Sequence, residues 1–342
     1  MSDPLPLKKT VVCFGELLLR LGAPGHEILL QTGKLDVHYG GAEANVGVSL
    51  AQWGHEVRMA SQVSDGPLGE AVLGALRRYG VQTRFVKTST QRMGLYFISA
   101  GAVRRPSRIV YDRADSAFTH MDEHTLDWDA ILDGADWLHI SGITPATGAG
   151  PAKAAIAVAK RAVEAGVKLS FDGNYRAQLW QNWDGDGPAI LREILSYADL
   201  AFINEKDVGL LLGRTFEDAE QSVQRTKAMA CAFEHFPRLQ HIANTHRQQT
   251  GVKQQTLSAQ LFSRDQSWQT NTYQLFDVVD RIGTGDAFAA GILDGFMQGE
   301  DPQSCLDFAL EAAIYKHSIA GDFNIASRED IRASGTGFDV RR

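Results

Sequence analysis

The chain has 342 residues, 44% hydrophobic and 22% charged, enough apolar material for one large α/β domain or two modest ones. Lys and Arg total 34 against 41 Asp and Glu, and the formal charge of -7 leaves no global attraction to a nucleic-acid backbone. Cys13, Cys231 and Cys305 lie far apart with no Cys-x-x-Cys pair, which excludes a disulfide framework and a thiolate metal site and fits a reducing cytoplasm. Met1 to Thr10 carries two prolines and no long apolar stretch, and no window reaches the run of about 18 apolar residues that a membrane helix needs, so the expected location is cytoplasmic.

Thr10 to Phe14, β-branched and apolar and stopped by Gly15, predicts a buried strand. Glu43 to Trp53 has helical spacing and ends at Gly54; Val57 to Val63 reads as strand, Pro67 to Tyr79 as a helix closed by Gly80, and Val81 to Val86 as strand. The cycle continues with Trp137 to Ile140, an Ala-rich helix from Pro151 to Ala165, Val167 to Phe171, Leu200 to Ile203 and Leu239 to Thr245. Alternation of this kind predicts an α/β fold with a central, mostly parallel sheet covered by helices on both faces, binding ligands beyond the carboxyl ends of its strands. Residues 17–39 and 93–113 break the pattern as strand pairs without crossover helices, and predict a small β lid inserted in one domain spanning 8–335. Gln248 to Gln255 reads as a polar loop.

The most informative stretch runs from Asp277 to Gly291. Val278 and Val279 read as a strand end, Asp280-Arg281-Ile282-Gly283-Thr284-Gly285-Asp286 as a loop, and Ala287-Phe288-Ala289-Ala290 as the opening of a helix. Glycines at 283 and 285 let amides converge on an anion at the positive end of a helix, and Asp286 at its mouth can take a proton from a hydroxyl. Taken alone, Asp286 reads equally as an N-cap. No dinucleotide fingerprint or Walker A loop is present, because Phe288 and Ile28 stand where glycines are required.

Gly40-Gly41-Ala42-Glu43-Ala44-Asn45 opens a helix with paired glycines, either a tight turn or a close approach to a ligand, and Asn45 one turn in is a costly residue for packing alone. Arg104, Arg105, Arg108 and Arg113 fall within ten residues of the lid; the first three read as a solvated face or an anion dock, whereas Arg113 shares a strand face with Tyr111. Arg176 follows another strand end. Asn204-Glu205-Lys206-Asp207 fits either a hydrated metal site or a helix cap. His120 and His124 lack the spacing of a zinc motif.

The Gly40 to Asn45 segment and the Asp280 to Asp286 loop, in this order, resemble the paired signatures of the ribokinase-like (PfkB) carbohydrate kinases. The likeness runs from about Lys8 to Ile331 and is greatest to members acting on 2-keto-3-deoxygluconate, through Gly94-Leu95-Tyr96-Phe97, Tyr111-Asp112-Arg113, Ser141-Gly142-Ile143-Thr144-Pro145, Asn174-Tyr175-Arg176 and Gly321-Asp322-Phe323-Asn324. The resemblance implies ATP- and Mg²⁺-dependent phosphorylation of that sugar acid to the 6-phosphate, with Asp286 as base and Gly283, Thr284 and Gly285 as anion hole. It implies Gly40, Gly41, Asn45, Tyr96, Tyr111, Arg113, Arg176 and Asp322 around the sugar acid. Asn174, Asn204, Thr245, Arg247, Gly283 and Gly285 are implied near ATP, Asp207 near the metal through water, and a homo-oligomer through the lid. Two departures from the family pattern stand out: Asn204-x-x-Asp207 in place of Asn-x-x-Glu, and Asn244-Thr245-His246-Arg247-Gln248-Gln249 in place of Lys-x-Gly-x-x-Gly. A kinase for fructose, ribose or keto-deoxygalactonate, and a catalytically silent sugar-acid binding protein, remain the alternative readings.

Overall fold

A computed structural model describes residues 7–334. Residue 335, the last of the expected domain, and the first six residues of the chain lie outside the described residues. The strands, in chain order, are β1 (Thr10–Phe14), β2 (Leu18–Gly22), β3 (Asp36–Gly40), β4 (Glu56–Ser64), β5 (Val81–Ser89), β6 (Gly94–Ser99) and β7 (Arg108–Asp112). They continue as β8 (Trp137–Ser141), β9 (Lys168–Asp172), β10 (Leu200–Phe202), β11 (His241–Gln249), β12 (Gln255–Phe262), β13 (Ser267–Gln269) and β14 (Tyr273–Leu275).

The larger sheet has the order β13-β12-β11-β10-β9-β8-β1-β4-β5, with β14 also on β12. From β11 to β5 every pairing is parallel; β12 then turns back antiparallel on β11. Parallel strands covered on both faces must be apolar on both, which is why β1 is nearly all hydrophobic. Val11 and Cys13 enter one core layer and Val12 and Phe14 the other, on opposite faces at period two. Phe14 is fully buried, edge-on to Trp128 at 4.9 Å between ring centroids, and its truncation to alanine would cost about 3–5 kcal/mol. The α/β architecture with a central, mostly parallel sheet expected from the alternation is the one observed, and the ribokinase-like form was what the resemblance implied.

The second sheet, β3-β2-β6-β7, is built from the two strand pairs expected as a lid; the two hairpins join through a parallel β2–β6 contact. Its register sets His38 opposite Arg20, Arg20 opposite Tyr96, and Tyr96 opposite Tyr111, so these four side chains form one row on one face.

Three local expectations are corrected. Val278 and Val279 are not strand: their amides donate to the Lys253 and His317 carbonyls, outside any ladder, and Val279 is exposed. The helix expected to open at Ala287 begins at Thr284. The polar loop expected over Gln248 to Gln255 is shorter: Gln248 and Gln249 extend β11 and Gln255 opens β12, with Gln249 paired to Gln255, so the turn shrinks to the residues between.

Candidate active site

Close backbone approaches build the site. Gly41, at φ 150°, caps the helix Ala42–Gln52, and a Cβ there would strike the Glu16 carbonyl oxygen; a Cβ on Gly40 would strike the Asp322 carboxylate. Paired glycine is therefore required by contact, beyond the needs of a turn. One turn on, Asn45 is buried and its Nδ2 donates to Asp286 Oδ2 at 2.6 Å, while its Oδ1 has no protein partner. A buried unpaired acceptor beside a carboxylate suits a hydroxylated ligand.

The Asp280 to Asp286 loop is tied down from beneath. Asp280 accepts from the Ile282 amide and the Gly321 amide, each at 3.0 Å, and pairs with Arg20 at 2.7 Å. Gly283, at φ 79°, is the N-cap of the helix Thr284–Gln298 and supplies no side-chain cap; a Cβ on it would run into the Asp322 carbonyl oxygen. The opening amides of that helix have no carbonyl one turn earlier to bond, so they face outward as an anion-binding edge. Asp286 is the third residue of the helix, which excludes the N-cap reading. Its carboxyl is pushed up to about 7, first by burial and then by Glu43 and Asp322, against the Asn45 hydrogen bond and Arg176.

The lid row reaches the same place. Arg20 bridges Asp280 and Asp322, the latter at 3.0 Å, and Tyr96 donates to the other Asp322 oxygen at 2.5 Å. Burial raises the Asp322 pKa while Arg20 and Tyr96 oppose it. Arg113 lies 5.9 Å from the Tyr111 ring centroid. It donates through Nε at 2.8 Å and through Nη2 to one Glu16 oxygen, and Ser116 donates to the other. The Arg113 fork is therefore already engaged within the protein: a buried guanidinium needs a counter-ion in the folded chain, and Glu16 is that ion. Arg176 is exposed, and among the described residues its one hydrogen bond is to the Tyr175 carbonyl, at 3.3 Å, with no carboxylate within 4.0 Å of its guanidinium.

A cavity of about 320 Å³ lies between lid and sheet edge. It is lined by Gly41, Asn45, Tyr96, Tyr111, Arg113, Asn174, Arg176, Gly283, Gly285, Asp286 and Asp322, so these expected site residues converge. Gly40 is beneath it, Thr284 belongs to a neighbouring cleft, and Arg104, Arg105 and Arg108 do not line it. Two adjoining clefts, of about 860 and 430 Å³, both contain Asn204, Thr245 and Arg247; Asp207 lines the smaller. Gly285 is common to all three spaces, and Asp172, Asn174 and Arg176 form the wall shared by the first cavity and the smaller cleft.

Asn204 is a helix cap: its Oδ1 accepts from the Lys206 and Asp207 amides, while Asp207 Oδ2 accepts from the Asn204 amide. Asp207 is therefore partly committed, and burial raises its pKa. Asp172 is pushed up to about 8 by burial and then by Asp286 and Asp207, with Arg176 opposing. The sequence motifs contain Glu43 and Arg281 without giving either a role, and no sequence signal assigned a role to Glu16, Arg20 or Asp172. Glu16 and Asp172 both stand at carboxyl ends of parallel strands, the signal that could have found them. Glu43 is buried, accepts from the Ser141 amide and hydroxyl and the Thr144 hydroxyl, and has a pKa raised by burial.

Beneath the small β sheet, a helix end without a side-chain cap meets a raised carboxyl and an adjoining cleft, an arrangement suited to a phosphotransferase acting on a small hydroxylated molecule. The chain belongs to the pfkB family of carbohydrate kinases, whose model it matches over residues 8–318. The crystal structure of 2-dehydro-3-deoxygluconokinase from Thermotoga maritima is similar at 37% identity and TM-score 0.91, covering 96% of this chain and all 100% of that one. The 2-dehydro-3-deoxygalactonokinase of Haloferax volcanii is 28% identical over 96% of this chain and 98% of its own. The 2-dehydro-3-deoxygluconokinase of Thermoproteus tenax is 25% identical over 94% and 92%. Among the described residues no helix is long and apolar enough to cross a membrane.

Proposed function

We propose that this carbohydrate kinase transfers the γ-phosphoryl group of ATP to the terminal hydroxyl of 2-keto-3-deoxygluconate, giving the 6-phosphate. The observation that carries the reading is the meeting of Asp286, the Gly283 to Gly285 backbone and the guanidinium of Arg176 around one cavity. A carboxylate under a lid needs an ionised partner, and Arg176 supplies it in the same cavity as the neutralised Arg113–Glu16 pair. Tyr96 and Asp322, locked to Arg20, fix the lid face over the sugar.

Asp286, deprotonated above about 7, accepts the hydroxyl proton as that oxygen attacks phosphorus; Asn45 holds the carboxylate in place. The Gly283 to Gly285 amides take up charge on the transferred group, and positioning supplies most of the acceleration. The nucleotide lies in the clefts lined by Asn204, Thr245 and Arg247, with Asn174 at the shared wall. Asp286 and Asp207 both repel Asp172 there, an acidic surround that would suit a Mg²⁺ ion arriving with the nucleotide, with Asp207 acting through water. Bound Mg²⁺ neutralises phosphate charge and orients the leaving oxygen. The lid sheet, which keeps Val37 and Val110 exposed, joins two copies of the chain in this reading.

The test is ADP release with MgATP and MgGTP over a panel of keto-deoxy acids, fructose and ribose, with the product phosphate located by phosphorus NMR. Turnover of the keto-deoxy acids at the 6-hydroxyl supports the reading. The Haloferax relative's name favours testing the galactonate epimer beside the gluconate.

A further inference from the structure

The helix Pro302–Lys316 ends directly beneath the anion-binding loop. Its last turn is the platform of that loop, because the His317 carbonyl accepts from the amides of Val279, at 2.9 Å, and Asp280, at 3.2 Å. Lys316 closes the helix and is 0% exposed, on the buried side that also carries Leu306, Ala309, Leu310, Ala312 and Ala313. A lysine in such a position is costly unless its charge meets an opposite one.

The charges in this layer have unequal commitments. Arg20 is bonded to Asp280 and to Asp322, so both carboxylates are occupied by the guanidinium. Among the described residues no carboxylate lies within 4.0 Å of Lys316 Nζ, whose hydrogen bond goes to the Ile319 carbonyl at 2.9 Å. The helix end favours a cation there but does not neutralise it. On the other side of the lysine stem is Gly283: a Cβ on that glycine would come within 3.4 Å of Lys316 Cε. A single backbone layer thus separates the buried amine from the cavity floor that Gly283 lines.

We propose that Lys316 is a positioning residue of the phosphoryl-transfer step, whose ammonium charge acts through the Gly283 backbone on the negative charge gathered at the anion hole. The proposal rests on the kinase reading above but not on the identity of the sugar, since its object is the transferred phosphoryl group. The groups that face Lys316 are Asp280, Asp322, Arg20 and Asp286, with His317 adjacent on its own helix. Asp286 in turn is faced by Asn45, Glu43, Asp172, Asp322 and Arg176. Deleting the lysine charge removes a cation from this set and leaves the others in place.

The experiment compares the parent with Lys316→Met, Lys316→Gln and Lys316→Arg, using whichever sugar the parent phosphorylates. Lys316→Met keeps the volume without charge, and Lys316→Gln also keeps a donor for the Ile319 carbonyl, so one covers the other if it does not fold. The expected result is a kcat about ten- to a hundredfold lower in both neutral variants, with KM for sugar and ATP within about threefold of the parent. The acid limb of kcat/KM moves to higher pH in both, Lys316→Arg recovers turnover, and binding of MgADP with tetrafluoroaluminate weakens more than binding of MgATP. A structural role alone predicts lower melting temperature with kcat and the pH limb unmoved. Neutral variants that fold, turn over within about threefold of the parent and keep its pH limb would overturn the proposal. A parent that prefers another sugar overturns only the keto-deoxy acid assignment; one that phosphorylates no sugar overturns both.

Discussion

Replacing Asp286 by asparagine keeps the size and the contact to Asn45 but removes the proton acceptor. General base catalysis of this kind contributes about 10²- to 10⁴-fold, and the expected loss in kcat is in that range. In the parent, kcat/KM should climb tenfold per pH unit and level off near pH 7, where burial has placed the carboxyl. The same shift has a signed consequence for stability. The folded pKa is raised from 3.8 to about 7, so the folded state holds the proton more tightly than the unfolded chain. Its contribution is full below about pH 4, falls as pH rises toward 7, and stays lost above. Asparagine never ionises, so Asp286→Asn should be more stable than the parent at pH 8, by roughly 2–4 kcal/mol less whatever solvent in the cavity screens, and equal to it near pH 4. Denaturant melts at the two pH values, run beside turnover assays, measure both effects. Turnover within tenfold of the parent, or a stability gap independent of pH, would refute the assignment of Asp286 as a buried base.

Arg176→Ala should raise KM for a keto-deoxy acid about ten- to a hundredfold and leave KM for fructose or ribose nearly unchanged, as steady-state kinetics on both substrate types will read. Gly283→Ala forces a side chain into positive φ and against the Asp322 carbonyl; it should lower stability by about 1–3 kcal/mol or more and abolish turnover, measured by melting and ADP release. Tyr96→Phe leaves one oxygen of the buried Asp322 without its donor, which should cost about 1–3 kcal/mol in unfolding experiments and raise sugar KM.

Much of the main sheet was legible because β1 and β10 are buried and read as apolar runs, and because β8 and β9 keep their apolar residues around His139 and Ser170, between glycine-stopped helices. Val278 and Val279 carry the same composition yet are not strand, since position beside the His317 carbonyl, a long-range feature, decides their hydrogen bonds. The lid hairpins were legible from local alternation, whereas the parallel β2–β6 seam joining them depends on distant pairing. Asp286 was ambiguous in sequence because base and N-cap share the same spacing; Gly283 taking the cap position resolves it. The engagement of Arg113 by Glu16 was not legible, because the two are 97 residues apart. Lys316 carries no local signal at all: an isolated lysine at a helix end is ordinary until the fold buries it under the loop.

The most direct test is the ratio of kcat/KM for 2-keto-3-deoxygluconate to that for fructose, measured in the parent and in Arg176→Ala with MgATP. The account predicts a ratio well above about ten in the parent that collapses toward one in the variant. A parent that favours fructose, or a ratio untouched by loss of the guanidinium, would contradict the claim that this cavity is built for a sugar acid.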